Sequence, residues 1–218
     1  GLITLTELLL LGVGLCALQL VCALIFNPAL LPLLLALWLY YACMTKEFFA
    51  PAWLKKHMFI YMFSHMLIMP LLDMYAAACD FLPTEGYIFM VSMIWFVLSS
   101  FFDGVVVELC RKLRAPGDEE KGVQTYSAMW GRGRSAAVVI VAMVLSLVST
   151  GVATSQIGGF HIAVPVLSAV CLLCWIPLAR YLQNPTTKRA AALELMSGVW
   201  TVADYTCLGV LPLIFLAG

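Results

Sequence analysis

Residues Cys110–Gly131 read CRKLRAPGDEEKGVQTYSAMWG. Seven charged residues fall within Arg111–Lys121, and Asp118, Glu119 and Glu120 are consecutive. On both sides the chain returns to Leu, Val, Ala, Met and aromatic residues. A charged island between two long apolar runs is the pattern of a loop joining membrane spans. The rest of the chain agrees: of 218 residues 63% are hydrophobic and only 11% charged, where a soluble domain averages about a quarter charged. With a mean hydropathy of +1.00, the chain cannot cover itself in polar surface, so its solvent is lipid.

Working outward from the island, seven apolar runs approach the length that crosses ~30 Å of hydrocarbon: Leu2–Phe26, Ala29–Met44, Met58–Phe81, Tyr87–Cys110, Ala136–Gln156, Ile162–Leu182 and Ala190–Leu216. The second is short and is expected to be extended by Pro28. The third contains Pro70, which predicts a kink, because packed neighbours can satisfy the freed carbonyl. The expected fold is all-α: a single polytopic helical bundle over 1–218, with 111–134 as a polar loop.

Charge sets the orientation. Lys46, Lys55 and Lys56 follow the second run; Arg111, Lys112, Arg114, Lys121, Arg132 and Arg134 follow the fourth; Arg180, Lys188 and Arg189 follow the sixth. The three intervening loops, around Asn27-Pro28, Asp80–Gly86 and Gly158–His161, have no Lys or Arg. By the positive-inside rule the three basic segments are expected in the cytoplasm. A formal net charge of +0 argues against a nucleic-acid partner. The chain starts at Gly1 inside an apolar run with no signal-peptide pattern, so a missing N-terminal part is expected. The eight cysteines all lie in or at the edges of apolar runs. Cys171-Leu-Leu-Cys174 has redox or metal spacing, but mid-span it reads as small packing residues.

The acids carry the chemistry. Glu7, Asp73, Asp103, Glu108, Glu194 and Asp204 lie within or at the ends of spans, where ionisable groups are costly and usually face an internal cavity. Asp103 and Glu108 are five residues apart, about 140° around a helix. Pro116 and Gly117 then end the helix, which turns Asp118, Glu119 and Glu120 back towards the bundle mouth. Carboxylates at such a mouth suit Mg²⁺, which binds one or two of them together with substrate phosphate, and nearby bases suit the remaining phosphate charge. A diphosphate on an apolar tail would satisfy both. A solvated loop with balanced charges satisfies the same composition.

The stretch Gly117-Asp118-Glu119-Glu120-Lys121-Gly122-Val123-Gln124-Thr125-Tyr126-Ser127, followed by Trp130-Gly131, resembles the region after the second aspartate-rich motif of UbiA-type intramembrane prenyltransferases. Glu108-x-x-Arg111-Lys112-x-Arg114-Ala115-Pro116 resembles one branch of that superfamily, and Asn27-Pro28, Tyr40-Tyr41 and Lys46 fit its fourth helix. The resemblance implies helices three to nine of a nine-helix fold, with the first aspartate-rich motif upstream of Gly1. It implies Mg²⁺-dependent transfer of a prenyl group from a prenyl diphosphate to a lipophilic or aromatic acceptor. It assigns Glu108 and Asp118 as catalytic acids, with Asp103 joining them on the metal, and Arg111, Lys112 and Lys46 as the diphosphate clamp. Tyr126 and Trp130 are read as interfacial aromatics. Residues 1–218 alone, without the first motif, are expected not to turn over. The departure is the spacing: the family's D-x-x-x-D is replaced by Asp103 and Glu108 with four residues between. A transporter or a non-catalytic membrane scaffold with the same bundle is the alternative reading.

Overall fold

The structure, a computed structural model, describes residues 3–84 and 91–216. Among them the chain is all-helical, with no strand. Ten α-helices follow in order: α1 Leu5–Phe26, α2 Leu31–Thr45, α3 Pro51–Lys56, α4 Met58–Met66, α5 Ile68–Thr84, α6 Val91–Arg111, α7 Tyr126–Trp130, α8 Arg132–Ile157, α9 Phe160–Gln183 and α10 Thr187–Leu216. Seven segments are long and apolar enough to cross a membrane: Leu5–Phe26, Pro28–Thr45, Met58–Leu82, Met93–Arg111, Arg132–Ile157, Phe160–Gln183 and Thr187–Ile214. These are the seven expected runs, with shifted ends. The expected start of the fourth at Tyr87, and Glu85 in the loop before it, lie outside the described residues.

Local chemistry sets the ends. The α1 N-terminus carries a capping box, with the Thr4 hydroxyl and the Glu7 carboxylate each accepting from the other's backbone N–H. Pro28 starts a 3₁₀ turn that runs directly into α2, and the Asn27 side chain accepts from the Ala29 N–H at 3.0 Å. Pro70 acts one turn before itself. Its ring clashes with the carbonyl four residues back, Met66, and the helix is interrupted there, between α4 and α5.

The helices group into two compact units, residues 1–57 with 71–89, and residues 58–70 with 90–218. In the first, α1 packs on α2, and Ala23, Leu30, Leu34, Ala78 and Leu82 form a small core. Almost all of α1 is exposed, Leu5 at 87% for instance, which suits a helix whose neighbour is lipid.

In the second unit, α6 packs on α8 and α10, α9 on α8 and α10, and α4 on α6. Lipid tails are as apolar as leucine, so helix association here depends on close packing and interhelical hydrogen bonds. The sequence meets both needs. Helix α8 buries Ala136, Ala142, Gly151 and Ala153 beside Ser146, Thr150 and Thr154. A Cβ at Gly104 of α6 would sit 3.0 Å from Met69 Cγ, tight enough that the Met69 side chain would have to shift.

Single cysteines placed at Thr84 and Thr187 in a cysteine-free background are expected to label from opposite faces of sealed vesicles. Labelling of both from one face would break the seven-span assignment.

Candidate functional site

The charged island condenses around the C-terminal turn of α6. Glu108 and Lys112 are four residues apart and Glu108 and Arg111 three, so all three side chains share one helix face. The Glu108 carboxylate is divided between two cations: Oε1 lies 2.5 Å from Lys112 Nζ and Oε2 2.6 Å from Arg111 Nη2. Glu108 is buried, Lys112 half-buried and Arg111 exposed. Lys112 Nζ also stands over two rings, 5.6 Å from the Tyr61 centroid and 5.7 Å from that of Tyr126, close enough for cation–π attraction.

The loop after α6 is built to present Tyr126. Thr125 and Ser127 both donate to Glu119, each at 2.5 Å. The Ser127 hydroxyl accepts from the Arg114 N–H at 3.0 Å, and the Tyr181 hydroxyl of α9 donates to the Arg114 carbonyl at 2.6 Å. Thr125 caps α7. Gly131, at φ 80°, makes the sharp turn from α7 into α8 that a residue with a Cβ resists, and Ser135 ties the turn back to the Tyr126 carbonyl.

Tyr126, expected at the membrane interface, is instead fully buried. Its hydroxyl has no hydrogen-bond partner. Burial, reinforced by the Glu108 carboxylate, pushes its ionisation upward, so the phenol stays a neutral donor. A buried donor with nothing to bond costs about 1–3 kcal/mol. Beside a lysine and an arginine, it fits an anionic oxygen.

An apolar cavity of about 130 Å³ adjoins the cluster, lined among others by Phe59, Met62, Phe101 and Val105. Phe59 meets Trp130 at 6.3 Å and Trp130 meets Tyr126 at 4.9 Å between centroids, so an aromatic path joins the charged cluster and the cavity.

The expected acids do not converge. Asp103 lies deeper in α6, where Ser146 and Trp200 donate to its Oδ1. Asp118 accepts from Thr187 at 3.1 Å, joining the loop to the start of α10. Lys46, expected in the diphosphate clamp, is the residue after α2 in the first unit and closes that helix with its backbone N–H. Among the described residues no group of three or more His, Cys, Asp or Glu is placed to hold a metal ion. Both Glu108 oxygens are already neutralised. The cations and the phenol of this cluster therefore fit an anion.

Sequence reasoning missed Tyr61 altogether, and it treated Ser99, Ser146, Thr150 and Trp200 as ordinary span residues. One signal was available: Ser99 and Trp200 lie on the spans that carry Asp103 and Asp204, and Ser146 and Thr150 stand one turn apart on the span after the charged loop.

Fold and site together define a polytopic α-helical membrane protein with a cation–aromatic cluster at one end of its larger unit. Comparison with protein-family models, with curated proteins and with solved structures gave no match.

Proposed function

We propose that the protein binds a prenyl diphosphate at the Glu108–Arg111–Lys112–Tyr126 cluster and transfers the prenyl group to a lipophilic or aromatic acceptor. The observation that carries this reading is Lys112, set near two tyrosine rings, one of which, Tyr126, is a buried phenol whose hydroxyl lacks a hydrogen-bond partner. Resemblance of the Gly117–Gly131 stretch to UbiA-type prenyltransferases supports it, as does a seven-span helical chain.

In this reading Arg111 and Lys112, still held by Glu108, turn their remaining N–H groups to the diphosphate, and Tyr126 donates to a phosphate oxygen. Charge-assisted bonds of this kind are the strong ones. The allylic C–O bond then breaks, its electron pair leaving on the diphosphate, where Lys112 and Arg111 stabilise it. The allylic cation is shielded by Phe59, Phe101 and Met62, whose surfaces exclude water and, for the rings, attract positive charge. The acceptor attacks, and the ring proton it loses departs with the diphosphate. Glu108 is a positioning residue that holds both cations in register through the reaction. No step is assigned to a metal.

The test uses the purified protein, geranyl diphosphate and a panel of aromatic acceptors. Glu108→Gln is expected to cut turnover at least ~10²-fold, about 2.7 kcal/mol in the barrier. Asp118→Asn, which can still accept from Thr187, and Glu194→Gln, exposed on α10, are expected to cost less than ~10-fold. Equal losses in all three would mean a folding role. Absence of any saturable diphosphate binding would favour the transporter or scaffold reading.

A further inference from the structure

A second cluster lies deeper in the larger unit. Asp103 on α6 is about 12 Å along the helix from Arg111. It is 1% exposed, and Asp204 on α10 is 0% exposed. The two carboxyls interact directly. Asp204 accepts from Ser99 at 2.7 Å and from Thr150 at 2.6 Å. Asp103 Oδ1 accepts from Ser146 at 2.7 Å and from Trp200 Nε1 at 2.8 Å. Ser99 Oγ also touches Ser146 Oγ at 3.1 Å and Thr150 Oγ1 at 2.8 Å.

Two observations show that this cluster is incomplete. The first is charge. Among the described residues no Lys, Arg or His pairs with either carboxylate. Two bare negative charges in an apolar bundle are far too costly to persist. The second is hydrogen. Three hydroxyls and one indole supply four hydrogens, yet six polar contacts link the cluster. Asp103 Oδ2, fully buried, has no hydrogen-bond partner at all.

We propose that Asp103 and Asp204, with Ser99, Ser146 and Thr150, form a binding site for one monovalent cation, a proton or Na⁺. A proton on Asp103 Oδ2 or between the carboxyls gives that orphaned oxygen a hydrogen and removes one charge. Na⁺ would do the same for charge, taking Asp103 Oδ2 and the lone pairs of hydroxyls whose O–H groups donate to the carboxylates.

The cluster joins α6, α8 and α10, so occupancy couples to how these three helices pack. The other titratable groups facing it are few. Helix α10 adds the Cys207 thiol next to Asp204. The buried Cys174 of α9 interacts with Cys110 and Cys171, and His65 of α4 is stacked on Tyr61 at 4.0 Å, so neither is joined to the two carboxyls. Helix α8 adds none, and Glu108 of α6 is paired with its own two cations.

The test is infrared difference spectroscopy of the purified protein at neutral pH, wild type against Asp103→Asn and Asp204→Asn. Asn is close in shape to a protonated Asp, and having two variants guards against one that fails to fold. A protonated-carboxyl C=O stretch that is present in wild type and lost in the variants identifies the proton. Absence of that band, with a thermal midpoint higher in NaCl than in choline chloride, identifies Na⁺; this comparison on wild type needs no variant, and the response disappears in Asp204→Asn. Neither band nor Na⁺ response, or a band or response unchanged in the variants, overturns the proposal.

Discussion

Lys112→Ala is expected to weaken binding of a prenyl diphosphate by about 10²-fold, or ~2.7 kcal/mol. Hydrogen bonds to charged groups contribute about 1.5–3 kcal/mol, and Lys112 is well placed to approach the upper figure. Its side chain is 26% exposed, so water competes only in part. The ammonium is also fixed by two rings and a carboxylate rather than free to swing. Lys112→Arg should recover part of the loss: the charge remains, but a planar guanidinium does not fit the same position near Tyr61 and Tyr126. Affinity is read by equilibrium binding of labelled geranyl diphosphate to monodisperse protein. Unchanged affinity in a folded Lys112→Ala protein would remove the cluster from the site. The comparison also separates roles, since Glu108→Gln frees two cations while Lys112→Ala removes one. If Glu108 positions rather than binds, its variant keeps most of the affinity and loses turnover.

Trp200→Ala is expected to be the most destabilising single change in the larger unit. Trp200 is the largest fully buried side chain there, at 0% exposure. Truncating a buried tryptophan to alanine costs about 3–5 kcal/mol. The same change removes the indole N–H that donates to Asp103 Oδ1 at 2.8 Å, and so strips a buried carboxyl of one of its two donors. For a chain of this size, ~4 kcal/mol lowers the thermal midpoint by roughly 8–16 °C. Trp200→Phe divides the effect: most of the volume stays and the donor goes, so a loss of about 1–3 kcal/mol is expected. The measurement is thermal unfolding followed by size-exclusion chromatography after heating. A Trp200→Ala protein with the wild-type midpoint would show that the Asp103 cluster does not hold the helices together.

The two sites differ in how readily a sequence discloses them. The Glu108–Arg111–Lys112 part of the first is local. Spacings of three and four residues on one helix put the charges on one face whatever the rest of the chain does. The partner that gives Lys112 its setting, Tyr61, lies on α4, and no periodicity links it to Lys112. Tyr126 was visible in the motif but was read as interfacial, because a tyrosine near a membrane boundary usually sits there. Its burial follows from the α7–α8 turn at Gly131 and the Glu119 bonds, which are tertiary details. The three expected metal ligands are dispersed for a related reason: Asp103, Glu108 and Asp118 are close in sequence, but helix geometry sends Asp103 inward and Asp118 out to Thr187.

By itself the sequence determined the solvent, the all-helical class, the seven apolar segments and the position of the polar loop. Those depend on hydropathy summed over about 20 residues and on helix-breaking residues, and neither needs a distant neighbour. Only the tertiary structure decided that the chain divides into two compact units, that Asp103 meets Asp204 from a different helix, and that Lys112 stands near two rings. Such contacts join residues far apart along the chain, and they depend on how helices of similar apolar character choose one another. In lipid that choice comes from small residues, hydroxyls and buried carboxyls on particular faces, a signal carried by a handful of side chains and invisible to any average along the sequence.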